Sequence, residues 1–212
     1  MTPFFCRLSL VHCQLLKDRI RLPVRVLLVG INPGIRSAQV GHHFAGASNR
    51  FWKLLYDSRL VPEPIGFADD DRLPEWGIGI TNLIPRPTPG IDTLRRDEYI
   101  SGARTLRRKI RRVKPETVAF VGVTLFRSVF ARPAGEPVAL GPQPERIEGA
   151  RVFVLPNPSG RNANFSYAQM LEAFVRLRRE MNPESDSSAG GAHAALTNSA
   201  SRVAERSPSI SR

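Results

Sequence analysis

Four short runs of mainly apolar residues stand out along the chain, and each ends in or beside a turn-forming residue. The runs cover residues 24–30 (VRVLLVG), 77–83 (GIGITNL), 117–122 (TVAFVG) and 151–156 (RVFVLP). Runs of this length that are rich in Val and Ile and bounded by Gly or Pro are typical of buried strands. We therefore predict four strands.

Patterns with helical spacing lie between these runs and after them. Residues 48–60 begin with a Ser-Asn pair that suits a helix N-cap. Residues 102–114 and 166–180 each place large apolar side chains on one face. These faces are formed by Leu106, Ile110 and Val113 in the first segment and by Met170, Leu171, Phe174 and Leu177 in the second. Alternating strands and helices predict a three-layer α/β/α fold around a central, mostly parallel, four-stranded sheet.

The composition changes near the carboxyl end. Residues 182–212 are rich in Ser, Ala and Gly and poor in large apolar residues, which predicts a disordered C-terminal tail. Residues 20–181 are long enough for one α/β domain with a sizeable core. Residues 1–19 would form an N-terminal extension to which the sequence assigns no role.

The charge balance points to a polyanionic partner. The chain has 31 Lys and Arg against 19 Asp and Glu, a formal charge of +12. The predicted tail carries equal numbers of acids and arginines, so the excess falls on residues 1–181. Such a surface favours nucleic acid. The run at 104–114 holds seven basic residues and no acid, and we predict a solvated helix exterior there rather than a phosphate-binding face.

Several kinds of site are disfavoured. Cys6 and Cys13 are the only cysteines, and neither C-x-x-C nor H-E-x-x-H spacing occurs, so we expect no metal. The dinucleotide, P-loop and serine-hydrolase motifs are also missing, and no cofactor is expected. No stretch is long enough to span a membrane, and the cysteine usage fits a reducing cytoplasm.

Two of the predicted strands end in loops of the same type. Gly30-Ile31-Asn32-Pro33-Gly34 follows the first strand, and Asn157-Pro158-Ser159-Gly160-Arg161 follows the fourth. Such sequences make tight turns by themselves, because Pro fixes φ and Gly accepts positive φ. However, open α/β sheets bind ligands beyond the carboxyl ends of their strands. The two loops are therefore candidates for the two sides of one crevice.

Four segments together resemble one protein family. They are GINPG at 30–34, GHHFAGASNRFWK at 41–53, GIGITNLIPRPTPG at 77–90 and LPNPSGRNANF at 155–165. In this order they resemble the mismatch-specific uracil/thymine DNA glycosylases of the uracil-DNA glycosylase superfamily. The resemblance extends from about residue 20 to residue 180.

The resemblance implies an enzyme that cuts the N-glycosidic bond of a mispaired or damaged pyrimidine in double-stranded DNA. The base must first be flipped out of the duplex into a pocket. In this family the Asn of GINPG orients the attacking water, which assigns that role to Asn32. We expect a monofunctional enzyme that acts without a cofactor, as a monomer in the cytoplasm, associated with the bacterial nucleoid when bound to DNA.

The resemblance also implies the residues that bind the base and the duplex. Phe44 would stack on the flipped base, and Gly30, Ile31, Ser37 and Asn82 would complete the pocket, with Ser37 near C5 of the pyrimidine. The 157–161 loop would enter the duplex, with Arg161 at its tip in the gap that the base leaves. For His42 and His43 the sequence leaves two roles open, contact with phosphate or contact with bulk solvent. A metal site is disfavoured because no third ligand accompanies them.

Two alternatives follow from the same residues. The first is a non-catalytic module that binds mispaired or damaged DNA on the same fold. The second is a small-molecule α/β enzyme, which the charge of +12 disfavours.

Overall fold

A five-stranded sheet forms the centre of the protein in the computed structural model, which describes residues 15–182. The predicted disorder beyond residue 182 and the extension before residue 15 lie outside the described residues. The strands are β1 (Val26–Gly30), β2 (Ile78–Asn82), β3 (Thr117–Val121), β4 (Gly141–Ile147) and β5 (Ala150–Leu155). Their order is β2-β1-β3-β5-β4, and all neighbours are parallel except β4 and β5.

Helices cover both faces of this sheet, as predicted for a three-layer fold. They are α1 (Ile35–Val40), α2 (Phe51–Asp57), α3 (Arg96–Val113), α4 (Val123–Phe130) and α5 (Tyr167–Met181), with 3-10 segments at Phe67–Trp76 and Ile91–Thr93. One buried core lies between the sheet and α2 and α5, and the other lies under α3 and α4. None of the helices within residues 15–182 is long and apolar enough to cross a membrane.

All four predicted strands are present, but the prediction of a four-stranded sheet is wrong because β4 adds an antiparallel edge strand. Its sequence, GPQPERI, contains two prolines, which an edge strand tolerates because its outer N–H groups have no ladder partner. β4 turns into β5 through Glu148 and Gly149, with φ of 50° and 89°. Left-handed φ at both central residues is what a two-residue hairpin of type I′ requires.

The helix α3 begins at Arg96 rather than at residue 102. The predicted segment began at Gly102, and glycine disfavours a helix interior. In the structure a Cβ on Gly102 would lie 2.6 Å from the carbonyl oxygen of Leu83, so the absence of a side chain lets the helix approach the sheet. The predicted apolar stripe of Leu106, Ile110 and Val113 is confirmed, because all three are buried.

The order of the strands creates a crevice at one edge of the sheet. The chain passes from β1 to β2 on one side and then returns to β3 on the other side of β1. At such a switch point the loops that follow neighbouring strands diverge and leave a crevice beyond their carboxyl ends. The loops after β1, β2 and β5 all reach this edge, and those after β1 and β5 carry the two Asn-Pro motifs.

Substituting Gly149 tests the hairpin turn. Gly149→Ala is expected to lower the free energy of unfolding by about 1–2 kcal/mol, because a Cβ is disfavoured at left-handed φ. No heavy atom of residues 15–182 lies within 4 Å of the added Cβ, so the loss reports backbone strain. Denaturant unfolding gives the measurement. Gly135→Ala is the control, since its Cβ also meets open space while its φ is not left-handed; an equal loss in both variants would contradict the assignment.

Candidate active site

A cavity of about 370 Å³ opens in this crevice, beyond the carboxyl ends of β1 and β2. Its size falls within the usual range for small-molecule sites. It brings together most of the predicted site residues, namely Gly30, Ile31, Asn32, Ser37, Phe44, Asn82, Asn157, Ser159 and Arg161. Pro158 and Gly160 do not line it. The remaining lining comes mainly from residues 88–91, from His43 and Asn49, and from Leu16 in the amino-terminal segment.

The side-chain amide of Asn32 is held in one orientation. Its Nδ2 donates to Thr88 Oγ1 at 2.7 Å and to the carbonyl oxygen of Arg86 at 3.1 Å. These acceptors fix the amide nitrogen on the side of the 86–88 loop. No group among residues 15–182 donates to Asn32 Oδ1. The oxygen is therefore available to accept a hydrogen bond from a molecule in the cavity.

Thr88 is the residue that fixes this orientation, and sequence reasoning missed it. Its buried hydroxyl donates to the carbonyl oxygen of Gly90 at 2.6 Å and accepts from Asn32. Its backbone N–H donates to the carbonyl oxygen of Pro33 at 3.1 Å, which joins the two loops. The Thr-Pro-Gly sequence lay within a motif used for the resemblance, but nothing in the sequence pairs it with Asn32, 56 residues away.

Phe44 presents one face of its ring to the cavity. The other face stacks on Phe51, with ring centroids 4.0 Å apart and the planes 18° from parallel. Its φ of 49° is unusual for a bulky residue, and such strain is typical of functional sites. Gly30 has no side chain, which leaves room for Asn82 and for the Phe44 ring. A Cβ on Gly30 would lie 2.6 Å from Asn82 Oδ1 and 3.4 Å from the Phe44 ring. Gly30 therefore lies close to both Asn82 and Phe44.

A buried carboxylate holds the two histidines whose roles the sequence left open. Asp70 is fully buried; its Oδ2 accepts from the backbone N–H and Nδ1 of His43, both at 2.9 Å, and its Oδ1 accepts from His42 and Arg19. Burial alone raises the pKa of Asp70, but these hydrogen bonds outweigh it and hold the pKa far below its usual value.

His43 is buried, so it makes no contact with bulk solvent. Because a carboxylate only accepts hydrogen bonds, Nδ1 of His43 carries a proton and donates to Asp70. Nε2 is buried and has no partner among the described residues, and His43 lines the cavity. An unsatisfied buried polar atom costs free energy unless a ligand or water meets it. His43 is therefore a further candidate for contact with a bound base.

Ser37 is also buried beside the cavity, and its Oγ accepts a hydrogen bond from the backbone N–H of Ala45 at 3.0 Å. This bond ties α1 to the loop that carries Phe44. Within residues 15–182 there is no group of three His, Cys, Asp or Glu side chains that could hold a metal ion.

The 157–161 loop rests on the loop that precedes α2. The backbone N–H of Arg50 donates to the carbonyl oxygen of Pro158 at 3.0 Å. A Cβ on Gly160 would lie 2.5 Å from the Cβ of Ser48, so this glycine is needed for packing within the protein. Arg161 is exposed at the cavity mouth, with Nη1 3.5 Å from the carbonyl oxygen of Pro89.

Comparison with known proteins confirms the resemblance. A family model described as the uracil DNA glycosylase superfamily matches residues 18–180. A protein from Schizosaccharomyces pombe named G/U mismatch-specific uracil DNA glycosylase is 40% identical over 163 residues, which cover 74% of this chain and 50% of that relative. The chain therefore spans about half the length of this curated relative. Since the family model matches well over half of the chain, the protein belongs to the uracil DNA glycosylase superfamily.

Proposed function

We propose that the protein is a monofunctional DNA glycosylase that excises uracil from G-paired mismatches in double-stranded DNA and so initiates base excision repair. The observation that carries this proposal is the fixed amide of Asn32, whose Oδ1 accepts no hydrogen bond from the described residues and lies at a cavity that Phe44 also lines. The name of the relative from Schizosaccharomyces pombe supports the choice of uracil opposite guanine.

In the proposed reaction a water molecule donates a hydrogen bond to Asn32 Oδ1 and attacks C1′ of the flipped nucleotide. The N-glycosidic bond breaks, and the uracil leaves as an anion with the bonding electron pair. The sugar of the abasic site gains the hydroxyl group, and the second proton of the water passes to solvent or to the departed uracil anion. An amide is not a strong general base near neutral pH. Asn32 therefore contributes by positioning the water and by stabilising the positive charge that develops on the sugar.

The base would stack on the free face of the Phe44 ring, which the Phe51 ring supports from behind. Asn82 and His43 then offer polar atoms to the edges of the base, and the Gly30 backbone closes the floor. The small side chain of Ser37 leaves room for a substituent at C5, so thymine belongs among the bases to be tested.

The rest of the proposal follows from the cavity lining and the charge. No lysine is found among the cavity-lining residues in the described part of the chain, which supports hydrolysis without a Schiff-base step. The charge of +12 favours phosphate contacts that hold the deformed duplex.

A panel of labelled duplexes tests the function. The full chain is incubated under single-turnover conditions with duplexes that contain U:G, T:G or U:A and with single-stranded uracil DNA, and alkali then cleaves any abasic sites. Excision is expected to be fastest from U:G, and strand breaks should require alkali. Tight binding to U:G without cleavage would instead support the non-catalytic binding module.

Asn32→Ala tests the catalytic assignment. Loss of one positioned polar group is expected to slow single-turnover excision by about 10²–10³, or about 3–4 kcal/mol. DNA binding and the unfolding midpoint should stay near the wild-type values, because the side chain is not part of either core. Near-normal excision by this variant would falsify the role of Asn32.

Thr88→Val tests whether the orientation of the amide matters. The substitution keeps the shape but removes the hydroxyl that fixes Asn32, and a hydrogen bond of about 1–1.5 kcal/mol corresponds to roughly a tenfold loss of rate. Single-turnover excision from U:G is the measurement. The control is Thr93→Val, which removes another hydroxyl that donates to Gly90 but has no contact with Asn32. Equal effects of the two substitutions would count against the positioning role.

Arg161→Ala tests the intercalating loop. If Arg161 fills the gap that the flipped base leaves, its loss should slow excision from a stable U:A duplex by at least about tenfold, and from single-stranded DNA much less. Arg146→Ala removes an exposed arginine on β4 and serves as the control for net charge. Equal losses of excision rate on all substrates would indicate that Arg161 is only a general phosphate contact.

A further inference from the structure

Two cavities lie along the outside of α3, away from the proposed active site. The first, of about 820 Å³, lies between the amino-terminal half of α3 and α4, and the second, of about 400 Å³, lies against the next two turns of α3. Arg96, Ile100, Arg104 and Arg107 follow at spacings of four, four and three residues, so they share one face of the helix. We call the surface formed by the two cavities the α3–α4 groove.

The end of the groove nearer the sheet crevice is partly apolar. Leu94, Tyr99 and Ile100 line it together with Ala131 and Ala134. The side chain of Ile100 is 46% exposed, which is a large fraction for an isoleucine on a helix that packs against a core. Exposed apolar side chains in a concave surface are typical of sites that bind another molecule.

The whole groove is strongly basic. The two cavities are lined by seven arginines and, within the described residues, by no acidic residue. The arginines are Arg96, Arg127, Arg132, Arg104, Arg107, Arg108 and Arg111. Like charges at positions i and i+4 of a helix repel each other. Two such pairs lie here, Arg104 with Arg108 and Arg107 with Arg111. Such an arrangement is stabilised when an anion binds.

Acidic residues next to the groove neutralise only part of this charge. Arg107 and Arg111 share Glu148, at 3.4 and 3.5 Å, and Arg132 pairs with Glu136 and Glu145.

Three groove arginines lack such a partner. Arg96, Arg104 and Arg108 form no ion pair with the part of the chain that the structure describes. In addition, Nε of Arg127 is buried without a hydrogen-bond partner among the described residues. The groove therefore presents positive charge that the described residues do not balance.

We propose that the α3–α4 groove binds an acidic peptide segment of a partner protein, with one or more large apolar side chains at one end. The apolar side chains lie beside Ile100 and Tyr99, and the carboxylates lie against Arg104, Arg107, Arg108 and Arg111. From Arg96 to Arg111 the helix rises about 22 Å, which an extended segment of about seven residues spans.

A peptide matches this groove better than a nucleic acid does. A phosphate backbone would meet the arginines but would leave the apolar end at Ile100 unfilled, whereas a peptide carries both kinds of side chain. The groove also runs down the side of the domain, from Arg96 near the sheet crevice towards the Glu148–Gly149 turn at the opposite end of the sheet. A duplex that lies across the crevice does not follow this direction.

A peptide-display selection on the full-length protein tests the proposal. A random octapeptide library is selected on the wild type, and the enriched class is expected to combine several acidic residues with large apolar ones. The consensus peptide is then made with a fluorescent label and titrated by anisotropy. Arg104→Glu/Arg108→Glu should weaken its binding by at least about tenfold, because carboxylates then face like charge. Ile100→Asp should also weaken binding of the peptide, because it places a charge where the apolar side chains of the peptide bind.

The matched control is Arg112→Glu/Arg146→Glu. It makes the same change of net charge, but neither residue lines the groove. Binding should stay within about twofold of wild type, as is usual for exposed charges outside an interface. Excision from a short U:G duplex checks that every variant is folded, and it should be unchanged because none of these residues belongs to the active site.

Each of the other outcomes overturns the proposal. Failure to enrich an acidic class, or an acidic class that still binds the Arg104→Glu/Arg108→Glu variant, would show that the groove is only a solvated surface. Full competition by an undamaged duplex, with a matching loss of duplex binding in that variant, would make it a nucleic-acid face. At least tenfold stronger peptide binding after neutralising Glu184, Asp186 and Glu205 together would identify the chain's own carboxyl-terminal segment as the occupant.

Discussion

The pairing of β1 with β2 continues past the ends of both strands, and the geometry of the active site depends on this continuation. The backbone N–H groups of Leu83 and Ile84 donate to the carbonyl oxygens of Gly30 and Ile31, both at 2.8 Å, and Thr88 N–H donates to Pro33. The two loops are thus held in register beyond the sheet. As a result, Thr88 Oγ1 lies 2.7 Å from Asn32 Nδ2, although the two residues are 56 positions apart in the sequence.

A second network sets the opposite wall of the cavity. The buried carboxylate of Asp70 joins the loop of His42 and His43 to the amino-terminal segment through Arg19, whose backbone pairs with Ile80 on the outer edge of β2. Removing one partner of a buried charge is costly, at about 3–5 kcal/mol. The network therefore holds the loop that carries Phe44 in its strained conformation, and it fixes the His43 ring beside the cavity.

Much of the fold could be predicted from local patterns, because four strands are short apolar runs and the core faces of α3 and α5 repeat with helical spacing. β4 could not be predicted in this way, since an edge strand needs neither a continuous apolar run nor a full set of N–H donors. The start of α3 was misplaced because the reason for Gly102 is the carbonyl oxygen of Leu83, a contact made only in the folded chain.

For the candidate site, the motifs brought Asn32, Phe44 and Asn82 to attention, and the cavity contains all three. The parts that escaped prediction are the groups that act on these residues from a distance in sequence. Thr88 orients Asn32, Phe51 supports the ring of Phe44, and Asp70 orients the ring of His43. A single sequence shows no sign of such pairings, because neither partner departs from the composition of an ordinary loop or core.

The choice of an amide at the catalytic position has a consequence for selectivity under the proposed function. Because Asn32 cannot remove a proton from water, the barrier to bond cleavage stays high, and the enzyme depends on how easily the base leaves the stack and how well it departs as an anion. A base in a mismatch costs less to extrude than one in a matched pair. Slow chemistry then allows a correctly paired base to return to the stack before cleavage, whereas a mispaired uracil stays longer on Phe44. Selectivity for mismatches thus follows from modest catalysis together with the cost of base flipping.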